Sequence, residues 1–194
     1  MKSISRVVIL IITSLFASLA TAETDNAAES KAFIETMMMK SLVVVNNDEF
    51  DAIYKRDQLR ELVNVYFDFD LISELTLSKF SVTSKKKLGR YSSHRFNEKQ
   101  QAEFSKLFQT HLTNLYLDRL NDSTRLTVSV NDSASLKPKK DLLRARVKTI
   151  INDLTAIDYS LGKHTAKNIV APQWKIYDVR VEGRSLVASF RKEY

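Results

Sequence analysis

The side chains of this sequence that are suited to catalysis or metal binding are few and widely separated. His94, His111 and His164 have no histidine partner four residues away and no acidic cluster at metal-ligand spacing, so the sequence predicts no metal site. The absence of cysteine excludes disulfides, thiol catalysis and thiolate metal sites. Three glycines are too few for a phosphate-binding loop or a dinucleotide fingerprint. We therefore expect neither a metal nor a cofactor.

Two further candidates for acid-base or nucleophilic chemistry have structural interpretations. Asp68 and Asp70 are close in sequence, but two residues apart on a helix they point to nearly opposite sides. Either could cap the next helix, which explains both their type and their position. Ser185 opens a helix, but it lacks a G-x-S-x-G elbow and has no histidine near it in sequence. The sequence thus predicts a protein that is not an enzyme.

The first 22 residues have the parts of a secretory signal peptide. Lys2 and Arg6 form a basic start, residues 7–19 are apolar, and residues 20–22 read A-T-A, a small-x-small cleavage site. An apolar run of about 13 residues is shorter than the roughly 20 that a membrane span needs. Cleavage would leave one domain, 23–194, with its formal charge lowered from +7 to +5.

Apolar residues at helical spacing predict the helices that must position any site. We expect helices over 31–45 and 55–66, a helix capped by Asp68 or Asp70, and a long helix opened by a capping box of Asn97 and Gln100. Residues 23–30 are small and polar and are expected to be frayed. The apolar stripe predicted for the long helix contains Phe104, Leu107, Phe108, His111, Leu112, Leu115 and Tyr116. The three methionines at 37–39 fit either a core or an adaptable pocket.

After residue 121 the hydrophobic period changes to two, which indicates strands. We expect four, over 126–130, 143–149, 155–161 and 173–182, with a loop containing Pro138, a turn at 152–153 and a loop over 162–172 before the last strand. In the last strand Tyr177 and Val179 are predicted to share an apolar face. Gly183 would end this strand, and Ser185 would cap a final helix carrying Leu186, Val187, Phe190 and Tyr194. The predicted fold is α+β, with several helices packed on a four-stranded antiparallel, strongly twisted sheet and a short C-terminal helix.

Residues 174–194, WKIYDVRVEGRSLVASFRKEY, resemble the signature of the MlaC family, also called the toluene-tolerance auxiliary family, of periplasmic phospholipid-binding proteins. The residues that match are Trp174, Tyr177, Asp178, Glu182, Gly183, Ser185 and Leu186. Further matches are L-G-R-Y at 88–91 and the pairs Phe104/Phe108 and Tyr116/Leu120. Arg184 stands where the family usually has an aliphatic residue, and the chain stops at Tyr194 where members usually continue, so we expect a more open mouth to the cleft.

The resemblance implies that acyl chains lie between the sheet and the helices, with the headgroup near solvent. The apolar stripes alone are compatible with a closed core as well as with a cleft, and the resemblance favours the cleft. The residues predicted to line it are Tyr66, Phe67, Leu71, Leu75, Tyr91, Phe104, Phe108, Leu112, Val128, Val147, Trp174, Tyr177, Val179 and Leu186.

The resemblance also implies a carrier that shuttles phospholipid between the inner and outer membranes. The implied partners are an inner-membrane ABC transporter complex with a ring-forming lipid-binding subunit and an outer-membrane lipoprotein complex, with no nucleic acid; we expect a monomer. The basic segments 85–87, 137–140 and 144–148 fit either docking to anionic surfaces or ordinary solvated faces. Two other classes stay open. One is a small α+β enzyme acting on an apolar ligand, for which Asp178 is the residue to inspect, and the other is a structural periplasmic protein without a cavity.

Cleavage after residue 22 is directly testable. The protein recovered from a bacterial periplasm is expected to begin at Glu23, because the small residues at 20 and 22 fit the signal-peptidase site. Intact-mass measurement with N-terminal sequencing reads this out, and a periplasmic protein that still contains residues 1–22 would contradict the prediction.

Overall fold

The structure is a computed structural model that describes residues 25–84, 95–120, 126–165 and 173–193. The predicted signal peptide, the motif at 88–91, the basic run 85–87 and Tyr194 lie outside these residues. Most of the loop predicted over 162–172 also lies outside them.

The described part of the chain contains five α-helices and one short 3-10 helix. They are α1 over 25–45, α2 Ala52–Tyr66, α3 Phe69–Leu77, the 3-10 helix Ser78–Phe80, α4 Glu98–Leu120 and α5 Leu186–Glu193. The expectation that residues 23–30 are frayed is wrong from residue 25 onward. Ser30 is fully buried there, and Glu29 is bound to two residues of the sheet, so tertiary contacts extend the helix past the point that its apolar spacing indicates.

Side-chain caps start three of the helices where the sequence predicts them. The Asp68 carboxylate accepts a backbone N–H of α3 at 2.9 Å, and the Ser185 hydroxyl accepts one of α5 at 3.0 Å. Asn97 and Gln100 exchange side-chain to backbone hydrogen bonds of 2.9 and 3.0 Å at the start of α4. These bonds satisfy N–H groups that have no partner within the helix, which is why short-range patterns predict them.

The strands form one antiparallel sheet in the order β1-β2-β3-β4-β5. They are β1 Val128–Lys139, β2 Leu142–Ile151, β3 Thr155–His164, β4 Trp174–Val181 and β5 Arg184–Ser185. The α+β class and the antiparallel arrangement are confirmed, with five strands instead of four. β5 was missed because two residues carry no periodicity; the chain reaches it through Glu182 and Gly183, both at positive φ, and pairs back onto β4.

Two strands extend into segments that were predicted as loops. β1 runs through Pro138, which an edge strand tolerates because its outer N–H groups need no partner, and its register shifts between Leu136 and Lys139. β3 continues past Gly162 to His164. A Cβ at position 162 would lie 2.8 Å from the Leu142 side chain, so this glycine permits close packing within the sheet instead of ending the strand.

A bulge in β4 divides its side chains differently from a regular strand. Ser160 pairs with Asp178 while the next residue, Leu161, pairs with Ile176, so Tyr177 is the extra residue. Tyr177 consequently packs with α3, α4 and α5, whereas Val179 faces α1. The prediction that Tyr177 and Val179 share a face is therefore wrong. The bulge reverses which face the following side chains point to, and the sequence of apolar and polar residues does not reveal it.

Among the described residues the core has two large clusters that meet at Phe67 and a small third one formed by Val44 and Leu59. The α1 cluster lies between α1, the end of α2 and the apolar face of the sheet, and its buried members are Ile34, Met37, Met38, Tyr66, Ala145, Val147, Tyr159, Leu161, Trp174 and Ile176. The α4 cluster joins α3, α4 and α5, and its buried members are Phe69, Ile72, Phe108, Leu112 and Val187. The stripe of α4 is narrower than predicted, since Leu107 is 64% exposed and His111 is also exposed.

Asp178 connects the sheet to α5. Its carboxylate is buried and accepts the Ser185 hydroxyl at 2.8 and 3.0 Å and the Val187 N–H at 3.1 Å. Both acceptor oxygens are thus engaged at the helix N-terminus, where a negative charge is favoured.

Replacing Asp178 with alanine is expected to lower the free energy of unfolding by about 2 kcal/mol, because a buried N–H without a partner costs about 1–3 kcal/mol. Urea denaturation measures the loss. Asp158→Ala is the matched control, since Asp158 lies on the same sheet face and its side chain has no hydrogen bond or ion pair with the described residues. Equal losses in the two variants would contradict the capping role.

Candidate functional site

Helix α1 packs across the apolar face of the sheet and leaves an open groove on each side. The first, here the β1-side groove, has a volume of about 520 Å³. It is lined by Glu35, Met38, Met39, Leu42, Val43, Val128 and Val130. Six of these seven residues are apolar, because the outward side of α1 carries methionine and valine beside a strand that presents valines. Val43 is 63% exposed, so apolar surface faces solvent here.

The second, here the β4-side groove, has a volume of about 430 Å³. It is lined by Glu29, Ala32, Phe33, Thr36, Val65, Tyr66, Lys163, Gln173 and Trp174. Phe33 and Tyr66 pack with ring centroids 4.9 Å apart and supply an aromatic wall. This groove differs from the first in having charged groups at one end.

Glu29, Lys163 and Trp174 form that charged end. The Glu29 carboxylate accepts hydrogen bonds from Lys163 Nζ at 2.7 Å and from Trp174 Nε1 at 2.9 Å, and Lys163 Nζ lies 5.8 Å from the centroid of the Trp174 ring. The hydrogen bonds from Lys163 and Trp174 hold the pKa of Glu29 below its ordinary value of 4.5. The three groups tie the start of α1 to β3 and β4.

The floor between the grooves is the α1 cluster. Met37 and Met38 are buried in it, while Met39 is exposed, so the methionine run serves the core and also lines the β1-side groove. Burial raises the pKa of the Tyr159 hydroxyl well above its ordinary value, which shows how strongly this interior disfavours charge.

The structure divides the residues predicted to line a lipid cleft into two groups. Six lie in the α1 cluster, and three of these, Tyr66, Val128 and Trp174, line the grooves. The other members of this group are Phe67, Val147 and Val179. Six more lie in the α4 cluster: Leu75, Phe104, Phe108, Leu112, Tyr177 and Leu186.

The second group packs as a mutual aromatic and aliphatic core. The rings of Phe104 and Phe108 stack with centroids 5.2 Å apart, and Phe190 meets Phe108 edge-on at 5.1 Å. Leu71 is half-buried and belongs to neither cluster. Tyr91 lies outside the described residues.

Sequence reasoning missed the polar members of the β4-side groove. Glu29 stood in a segment expected to be frayed, and Lys163 in one expected to be a loop. The two residues are separated by 134 positions in sequence, so no local pattern pairs them. The only signal was the position of Glu29 one helical turn before Phe33, on the same side of a helix.

Groups suited to catalysis have structural partners instead. The Ser185 hydroxyl donates to Asp178 and accepts an N–H of α5, and His164 lies 3.4 Å from Asp68, which caps α3. Among the residues that the structure describes, no group of three or more His, Asp or Glu side chains is placed to hold a metal ion. Within the same ranges, no helix combines the length and hydrophobicity needed to cross a bilayer.

The fold and the site define an α+β protein in which one helix separates two open grooves on the apolar face of an antiparallel sheet. The family model described as MlaC protein matches residues 35–194. The chain therefore belongs to the MlaC family. The match begins within α1, so it includes the sheet and the later helices but not Glu29 and Phe33 of the β4-side groove.

A solved structure shares this fold. It is the phospholipid-binding protein from Ralstonia solanacearum in complex with a phospholipid, which is 18% identical, with a TM-score of 0.60 over 86% of this chain and 85% of that one. A search of curated proteins found no significant match.

The contact between Glu29 and the indole is expected to titrate in acid. Because the pKa of Glu29 is lowered from 4.5 in the folded protein, its stabilising effect is complete above the unfolded-state pKa and is lost as the pH falls through the lowered value. Trp174 is the only tryptophan, so its fluorescence reports the change.

We expect a fluorescence transition with a midpoint below pH 4.5 that disappears in Glu29→Gln. Glu35→Gln is the control, since Glu35 lies on the same helix with Lys31 at 3.9 Å and should leave the transition in place. A transition that persists in Glu29→Gln would disprove the assignment.

Proposed function

We propose that this protein binds a phospholipid, with its acyl chains in the grooves beside α1, and carries it across the periplasm. The observation that carries the proposal is the pair of open, largely apolar grooves on the sheet face. Membership of the MlaC family and the fold shared with a protein solved in complex with a phospholipid support it. Both groove volumes lie within the range of about 300–1,000 Å³ that is common for ligand pockets.

The energetics of lipid transfer explain why such grooves are useful. A diacyl phospholipid has roughly thirty methylenes, and exposing them to water costs about 0.8 kcal/mol each, or about 25 kcal/mol in total. The lipid therefore needs a carrier to cross an aqueous space. The carrier competes with the bilayer, so its grooves need only be about as apolar as lipid tails, and direction then comes from a partner.

The composition of α1 suits a helix that must adjust to chains of different lengths. Met38 lies at the boundary between the core and the β1-side groove, and methionine adapts to irregular apolar shapes because it is unbranched and flexible. In this proposal Tyr66, Val128 and Trp174 contact lipid directly. The deeper residues of the α1 cluster form the apolar floor beneath the chains.

The implied cellular role follows from the family and the predicted signal peptide. We propose that the protein works in the periplasm as the soluble component of an ABC-transporter-linked system for outer-membrane lipid asymmetry. Its partners would be an inner-membrane transporter complex with a ring-forming lipid-binding subunit and an outer-membrane lipoprotein complex. Loading from one partner and delivery to the other would give the transport a direction, since the free energy of lipid transfer between bilayer and carrier is itself close to zero.

The other function classes have less support. An enzyme would need an available reactive group, but the buried Asp178 carboxylate is occupied in capping α5. A structural protein without a cavity would have a groove volume near zero, and the observed volumes of about 520 and 430 Å³ do not fit that description. No observation favours either class over a lipid carrier.

Placing a charge in the β1-side groove should weaken lipid binding without unfolding the protein. Val43 is already largely exposed, so Val43→Asp removes little packing, but acyl chains would have to desolvate the new carboxylate. After incubation with phospholipid vesicles, native mass spectrometry is expected to show lipid on the wild type and at least about tenfold less on Val43→Asp.

Leu107→Asp is the matched control, because Leu107 is 64% exposed on α4 and is not among the residues that line either groove, so this variant should load as the wild type does. A wild-type protein that takes up no phospholipid would sink the proposed function. Equal loading of all three proteins would instead reject the β1-side groove as the site.

A further inference from the structure

Lysines lie both within the charged end of the β4-side groove and against its wall. Lys163 lies within the lining, Lys175 Nζ donates to the Val65 carbonyl oxygen at its wall, and Lys40 Nζ is 5.9 Å from the centroid of the Tyr66 ring. Glu29 is the one carboxylate in the lining of this groove. One lysine in the lining and two more in contact with lining residues, beside an apolar groove, favour an amphipathic ligand whose polar part is anionic.

The Glu29 to Lys163 ion pair is built so that an anion can replace it. The Glu29 side chain is 50% exposed, whereas that of Lys163 is 19% exposed, so the carboxylate can turn into solvent while the ammonium stays in place over the indole. Because the less exposed ammonium would keep an anionic partner throughout, the exchange leaves no unpaired charge in a partly buried position. Replacing the Glu29 oxygen at Lys163 Nζ with another anionic oxygen therefore costs little free energy.

A phosphate ester satisfies the two donors that Glu29 now occupies. Lys163 Nζ and Trp174 Nε1 converge on the same atom, Glu29 Oε2, at 2.7 and 2.9 Å. A phosphodiester oxygen in that position would accept both bonds, and charge-assisted bonds of this kind are among the stronger ones in proteins. Apolar Phe33 and Val65 continue from this point along the groove, where an acyl chain attached to the phosphate would extend.

We propose that Lys163 and Trp174 hold the phosphate of the bound lipid and that Glu29 occupies this position in the empty protein, competing with the ligand. This inference rests on the proposed lipid binding and adds to it a site for the headgroup. Because Glu29 belongs to α1, arrival of the phosphate also releases the start of α1 from β3 and β4. Loading of the polar end is thereby coupled to the helix that separates the grooves.

The two ends of the ion pair are expected to respond differently when substituted. Lys163→Met removes the phosphate donor, so it should lower the ratio of bound phosphatidylglycerol to bound diacylglycerol by about tenfold. Glu29→Gln removes the competing anion, so it should leave that ratio equal to or above the wild-type value. If the pair served only to hold α1 on the sheet, both substitutions would lower the binding of the two lipids alike and leave their ratio unchanged.

The experiment offers each purified protein vesicles that contain phosphatidylglycerol and diacylglycerol with identical acyl chains, followed by native mass spectrometry. Lys148→Met is the control, because Lys148 is exposed on the opposite face of the sheet and should keep the wild-type ratio. An unchanged ratio in Lys163→Met, with lipid bound, would overturn the headgroup site but leave the proposed function standing. No bound lipid in any protein would overturn both.

A second arm separates a lipid headgroup from a free phosphate ester. Trp174 fluorescence is expected to change on addition of phosphatidylglycerol vesicles, and to stay constant with the soluble glycerophosphodiester that lacks acyl chains, at millimolar concentration. An equal change with the soluble ester would show a phosphate site independent of lipid and would refute the inference.

Discussion

The structure depends on covering one apolar sheet face, mainly with α1 and at one side with the end of α2. Ala145, Val147, Leu161 and Ile176 form a fully buried strip across three strands, and Ile34 of α1, also fully buried, packs against it in the same cluster. An uncovered face of this kind would leave a large apolar area in water. Because α1 is narrower than the sheet, apolar surface stays open on both sides of it. These open surfaces are the two grooves.

The bulge in β4 then decides what the remaining helices do. By turning Tyr177 away from α1, it gives the α4 cluster an aromatic residue from the sheet, and the next residue, Asp178, caps α5. The junction of α2 and α3 is fixed to the same strand, since Asp68 N–H donates to the Ile176 carbonyl oxygen at 2.9 Å. The α4 cluster is therefore fixed to β4, whereas α1 has an open groove on each side.

This arrangement is compatible with the proposed function. A carrier of apolar molecules needs a site whose side chains can adjust to the ligand, because the site competes with a fluid bilayer. The free energy of transfer between the two is close to zero. The flexible methionines and exposed ion pairs beside α1 have that character. Asp178, Ser185 and Asp68, by contrast, hold the starts of α5 and α3 through capping hydrogen bonds.

The sequence by itself determined the features that depend on neighbours a few residues away. Asp68, Asn97 with Gln100, and Ser185 start helices through bonds spanning three residues, and residues 152–153 turn at positive φ, so short-range patterns predict them. The alternation of β2 and β3 and the motif at 174–186 likewise indicated the sheet and the family. Tertiary structure alone decided the bulge at Tyr177, the passage of β3 through Gly162, and the meeting of Glu29 with Lys163 and Trp174. Each of these depends on packing between segments that are distant in sequence. Local sequence patterns do not specify which residues of such segments lie next to each other.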